Sequence, residues 1–166
     1  MFDTVLHANS VPMHPIRNVE SDSSPNCRST GIKDGIASRT AGIRILFVED
    51  HPESRRTIAN LLNHSGYNVS VADCAGTALQ MLNAHKFDVI VSDIGLPDGS
   101  GYALIMLAKQ CQASIIAVAL TGFSSEQDIR FCREIGFDFY LTKPVDFHEL
   151  RTVLNQAKVR NKKLEP

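Results

Sequence analysis

What this chain of 166 residues lacks narrows its possibilities first. It has no excess of one charge: 17 Lys and Arg stand against 18 Asp and Glu, a formal net charge of -1, so the polyelectrolyte signal of a nucleic-acid binder is missing. It has no apolar run of about 18 residues and no basic patch leading into an apolar signal segment, so it reads as neither membrane-spanning nor exported. The four cysteines, Cys27, Cys74, Cys111 and Cys132, lie far apart without a C-x-x-C. That spacing favours reduced structural thiols of a cytoplasmic protein over zinc or disulfides. The histidines are scattered, and His51 and His148 read as surface residues rather than phosphate donors. The length suits one domain with a single sizeable core.

Residues 1–41 have little sustained period: the first forty contain six serines, three prolines and four acidic against four basic residues. They read as a disordered extension or linker. From Gly42 the texture changes to short apolar runs alternating with amphipathic stretches, the βαβ pattern of a mostly parallel sheet. Strands are expected at Ile43 to Val48, Tyr67 to Ala72, Val89 to Asp93, Ser114 to Thr121 and Phe137 to Thr142. Helices are expected from His51-Pro52-Glu53, with Ile58, Leu61 and Leu62 inward, and at Ala75 to His85, with Ala78, Leu79 and Leu82 inward. Three more follow at Tyr102 to Gln110, Ser124 to Ile135 and Phe147 to Val159, the last burying Leu150, Val153, Leu154 and Ala157. Pro52 and Glu53 suit a first helical turn, and Gly66 and Gly136 suit helix ends. The pattern predicts a (βα)5, doubly wound, flavodoxin-like α/β domain over residues 42–160, followed by a C-terminal tail, 161–166, with Lys158, Arg160, Lys162 and Lys163 making the end of the chain basic.

Four strands end in polar residues: Glu49-Asp50, Asp93, Thr121, and Thr142-Lys143-Pro144. The C-terminal edge of a parallel sheet is where such folds bind ligands. Three carboxylates there repel one another unless a cation intervenes. Carboxylate, carbonyl and water are hard oxygen donors, and no His or Cys sits at a useful spacing in these tips, so the set selects Mg²⁺ or Mn²⁺. With a cation present, a free carboxylate can attack phosphorus, and Lys143 and Thr121 can hold the transferred oxygens. Asp98, inside Pro97-Asp98-Gly99, reads as a turn residue rather than a further ligand.

From residue 43 to about 158 the chain resembles a response-regulator receiver domain of two-component phosphorelays. The resemblance rests on Ile45-Leu46-Phe47-Val48-Glu49-Asp50, Asp93-Ile94-Gly95-Leu96-Pro97-Asp98-Gly99-Ser100-Gly101, Ala119-Leu120-Thr121-Gly122 and Leu141-Thr142-Lys143-Pro144, in order. It implies that Asp93 is the phosphoacceptor and that Asp50, Asp93 and the Gly95 carbonyl ligate Mg²⁺, with Glu49 reaching it through water. It implies further that Thr121 and Lys143 bind phosphoryl oxygens, that Lys143-Pro144 is a cis peptide, and that Tyr140 turns inward as Thr121 moves. The implied partner is a sensor histidine kinase or histidine phosphotransfer protein, and the motifs look most like receivers fused behind sensor kinases. Gly95 and Phe123 occupy the positions that tune loss of the phosphate in that family. Two other readings differ by observable features. A phosphohydrolase on this fold wants a second aspartate where Gly95 stands, and a degenerate receiver would lack one of the five functional side chains.

Overall fold

The computed structural model describes residues 42–122 and 125–162, so the expected leader, Phe123, Ser124 and residues 163–166 lie outside it. In chain order the main elements are β1 (Arg44–Val48), α1 (Pro52–His64), β2 (Asn68–Ala72), α2 (Ala75–Ala84) and β3 (Val89–Asp93). Then come α3 (Gly101–Cys111), β4 (Ile116–Thr121), α4 (Glu126–Ile135), β5 (Phe139–Thr142) and α5 (Phe147–Lys162). The five strands are parallel and lie in the order β2-β1-β3-β4-β5. Between β3 and α3 the chain makes a small antiparallel ladder, Gly95–Leu96 against Gly99–Ser100, within the expected glycine-rich turn.

Successive strand side chains point to opposite faces, and both faces are apolar because helices cover both. Ile45, Phe47, Val89, Val91, Val118 and Leu120 pack with Leu62 of α1 and Leu150 and Leu154 of α5. Leu46, Val48, Ile90, Ala117 and Ala119 pack with residues of α2, α3 and α4, among them Leu82, Leu104 and Cys132. The chain reverses its winding between β1 and β3, which opens the crevice at their C-terminal ends.

One expected core residue moves to the surface. Leu62 is fully buried and Ile58 and Ala59 share its stripe, but Leu61 is 42% exposed. On a helix advancing about 100° per residue, Leu61 lies off the stripe that Ile58 and Leu62 define four residues apart. Boundaries shift for local reasons. β5 starts at Phe139 rather than Phe137 because Gly136, at φ 116°, closes α4 in the left-handed conformation before the chain turns. α5 runs three residues past Val159, since no Gly or Pro intervenes to stop it. Its start has a cap that the sequence reading passed over: Asp146 accepts hydrogen bonds from the N–H groups of His148 (2.7 Å) and Glu149 (3.0 Å).

Candidate functional site

Register brings the strand tips together. Val48 pairs with Ser92, Asp93 with Leu120, and Thr121 with Thr142, so the residues that end β1, β3, β4 and β5 emerge on one edge. Glu49 and Asp50 leave β1 there, and Lys143 leaves β5. Carboxylate oxygens of Glu49, Asp50 and Asp93 lie within 4.8 Å of one another. Glu49 is buried, Asp93 half-buried and Asp50 exposed, so the cluster grades from core to solvent.

The Lys143 ammonium lies between two of these acids, donating to Glu49 Oε2 at 3.0 Å and to Asp93 Oδ2 at 2.6 Å. Burial alone would lower the lysine pKa, but those hydrogen bonds and charges outweigh it and hold the group above its ordinary value. Asp93 Oδ1 accepts from the Gly95 N–H at 3.1 Å, so both acceptor oxygens are oriented by neighbours. The remaining residues named from the sequence lie on β4, on β5 and just past it. Thr121 is buried at the end of β4, and its carbonyl accepts from the Lys143 N–H at 2.8 Å. The Lys143–Pro144 bond is cis. Tyr140 is half-buried on β5, packed against the cluster that contains Cys132 and Phe137.

Three features were missed at the level of sequence. Arg55, on α1, donates from Nη1 to the carbonyl oxygens of Glu49 (2.6 Å) and Asp50 (2.9 Å), bracing the acid pair from behind. Its only sequence signal is a basic residue at the end of the first turn of α1, five residues past Asp50. Gly101 lets α3 start directly under Asp93: a Cβ there would meet Ile94 Cα at 2.8 Å and the Asp93 carbonyl more closely still. Asp98 stays outside the acid cluster, as expected, but is more than a turn residue. Its carboxylate accepts from the N–H groups of Ala75 (2.8 Å) and Gly76 (2.7 Å) at the start of α2. His51 and His148 are exposed; His51 caps α1 through its side chain.

The cluster's donor set fits a hard divalent cation: three carboxylates within reach, and no His or Cys in the group among the described residues. At Gly95 an added Cβ would meet nothing within 4 Å, so the space beside this residue is open. No described helix is long and apolar enough to cross a membrane. Cys74 and Cys132 are buried and in no disulfide, whereas Cys111, also in no disulfide, is exposed and so is not part of the core.

Comparison with known proteins gives the same frame. The family model for the response regulator receiver domain matches residues 45–155. Sensor histidine kinase RcsC of Salmonella typhi is 30% identical over 139 residues, covering 84% of this chain and 15% of that protein. The chain thus spans under one sixth of that relative's length. An uncharacterized 14.6 kDa protein of Leptolyngbya boryana is 35% identical over 118 residues, 70% of this chain and 90% of that one. The receiver domain of an HD domain-containing protein from Pseudomonas fluorescens Pf-5 superposes with a TM-score of 0.69 at 29% identity, covering 78% of this chain and 97% of that one. A CheY-like receiver domain protein of Methanospirillum hungatei JF-1 gives a TM-score of 0.68 at 28% identity, covering 74% and 98%. With its (βα)5 order, its strand-tip acids and this match along most of its described length, the chain belongs to the response regulator receiver domain family.

Proposed function

We propose that residues 42–160 form a phosphoacceptor switch in which Asp93 receives a phosphoryl group from a phosphohistidine of a sensor histidine kinase or a histidine phosphotransfer protein. The observation that carries this reading is the Asp93 carboxylate itself: half-buried at the sheet edge, bonded to Lys143 at 2.6 Å and within 4.8 Å of the Glu49 and Asp50 oxygens. An Asp93 oxygen attacks phosphorus, the O–P bond forms, the N–P bond of the donor breaks, and the imidazole leaves with the bonding pair. Glu49, Asp50, Asp93 and the Gly95 carbonyl are the groups that would hold Mg²⁺ or Mn²⁺, which would neutralise charge on the transferring phosphoryl group. Lys143 is already bound to the acceptor and needs only to exchange a carboxylate oxygen for a phosphoryl oxygen. Thr121, one strand over, offers its hydroxyl to another. The chain has Gly95 where a phosphohydrolase of this type would carry its acid/base, so the reading is a signalling switch rather than a turnover enzyme.

The output would pass through Thr121 and Tyr140 to the face made by α4, β5 and α5. A charge-assisted hydrogen bond between phosphate and Thr121 is worth roughly 1.5–3 kcal/mol, enough to change the dominant population of a two-state element. The similarity to the sensor histidine kinase RcsC supports a kinase or phosphotransfer partner, and the switch would work with it in the cytoplasm. The test is an NMR titration with beryllofluoride and Mg²⁺, a stable mimic of the acyl phosphate. Backbone signals of Thr121, Gly122 and residues 139–150 are expected to shift, with those of α2 nearly fixed. Shifts confined to the Asp93 loop, or equal throughout, would refute the proposed output face.

A further inference from the structure

We propose that Asp98 is a positioning residue that fixes the loop carrying the Gly95 carbonyl relative to the acid pair Glu49-Asp50; this rests on the metal-binding reading above. The two halves of the acidic site come from different strands. Glu49 and Asp50 follow β1, whereas Asp93 and Gly95 lie at and beyond the end of β3. The inner end of the Gly95 loop is tied to the sheet, through the Ile94 N–H to Leu120 O (3.3 Å), the Gly101 N–H to Ile94 O (2.8 Å) and the burial of Leu96. Its outer end, Pro97-Asp98-Gly99, is exposed.

Asp98 ties that outer end across 22 and 23 residues of sequence to Gly76 and Ala75, one carboxylate oxygen to each N–H. α2 has no side-chain cap of its own: the Cys74 thiol at the N-cap position makes no capping hydrogen bond and lies instead against Thr77 Oγ1 at 3.2 Å and the Asp98 carboxylate. Its first N–H groups are therefore free to hold the loop. The fit is close: a Cβ at Gly76 would lie 3.2 Å from Asp98 Oδ2. The start of α2 is in turn joined to the acid pair, because Ala72, ending β2 just before it, accepts the Glu49 N–H at 3.1 Å. The connections close a ring from Glu49 through Ala72, Ala75 and Asp98 to Gly95 and Asp93. Releasing Asp98 opens that ring and lets the Gly95 carbonyl drift from the acids opposite.

A helix cap and a loop tether can be separated. Asp98→Ala removes both; adding Cys74→Ser gives α2 a local serine cap, a residue type favoured there, without restoring the tether. Three quantities are measured on the full chain: urea midpoint, Mg²⁺ affinity by calorimetric titration, and hydrogen exchange of the Gly95, Leu96, Gly99 and Ser100 amides without metal. Asp98→Ala is expected to lower the midpoint, to weaken Mg²⁺ binding by about tenfold, as when a partner orienting a metal ligand is lost, and to speed loop exchange. Asp98→Asn, which keeps one acceptor oxygen, falls between. In Asp98→Ala/Cys74→Ser the midpoint recovers while Mg²⁺ affinity stays low and exchange stays fast. Recovery of all three in the double variant would reduce Asp98 to a cap and overturn the proposal, as would unchanged affinity and exchange in Asp98→Ala. If the wild-type chain bound no Mg²⁺, the metal reading itself would fall, and the metal-free exchange rates would still decide whether Asp98 holds the loop.

Discussion

Replacing Lys143 with alanine separates the counter-charge built into the chain from any that a metal brings. The ammonium bonds Glu49, whose side chain is 2% exposed, and Asp93, at 14%, while its own side chain is 33% exposed. Each hydrogen bond to a charged group is worth about 1.5–3 kcal/mol. Solvent screening of the exposed part of the lysine reduces the pair to a combined loss of about 2–3 kcal/mol at neutral pH without metal. For a domain of this size that lowers the thermal midpoint by roughly 10 °C. The pH dependence has a defined sign. Burial opposes the charge on Lys143, but Asp93 and Glu49 outweigh it and raise its pKa. Its contribution is therefore fully present below the ordinary lysine value of about 10.4 and is lost as pH rises through the higher folded value. Saturating Mg²⁺ supplies the missing charge and should narrow the gap between wild type and variant, and the variant should still bind it. Urea unfolding followed by circular dichroism, at pH 7 with chelator and with Mg²⁺, measures this directly. Equal stability of the two proteins in chelator, or a gap that Mg²⁺ leaves untouched, would refute the assignment of Lys143 as the site's resident cation.

Gly101→Ala places a Cβ 2.8 Å from Ile94 Cα, whereas Gly99→Ala meets nothing within 4 Å. The first should cost about 1–3 kcal/mol in urea unfolding and slow phosphorylation, and the second should be near neutral; equal behaviour would show that the turn beneath Asp93 is not crowded. Asp138 accepts hydrogen bonds from Lys109 (2.7 Å), Arg160 (2.7 Å) and the Ala117 N–H (2.9 Å), joining α3, β4 and α5. Asp138→Asn should cost about 2–3 kcal/mol, read from the urea midpoint, and a change below the error of that measurement would demote the hub to surface decoration.

The strand tips were legible because a parallel sheet puts every strand's C-terminal end on one edge, so apolar runs ending in Glu49-Asp50, Asp93, Thr121 and Lys143 had to converge. What periodicity cannot show is which side chains reach across between elements. Asp98 bonding α2, Arg55 behind the acid pair and Asp138 between three elements are each one polar residue whose partner is far off in sequence or fixed only by helix direction. Gln112 is similar: buried just past α3, it accepts from Phe87 N–H and donates to the carbonyls of Leu82 and His85. Leu61 failed for a different reason. An apolar residue next to a true core leucine looks inward in a count of hydrophobes, and only the angle about the helix axis places it outside.

The central claim, that Asp93 is the one phosphoacceptor, is tested most directly by intact-mass measurement after incubation with acetyl phosphate, with and without Mg²⁺, on the wild-type chain and on Asp93→Asn. The account predicts a single added phosphoryl group on the wild type, dependent on Mg²⁺, and none on Asp93→Asn. An unchanged wild-type mass with Mg²⁺ present, or equal labelling of the two proteins, would contradict it.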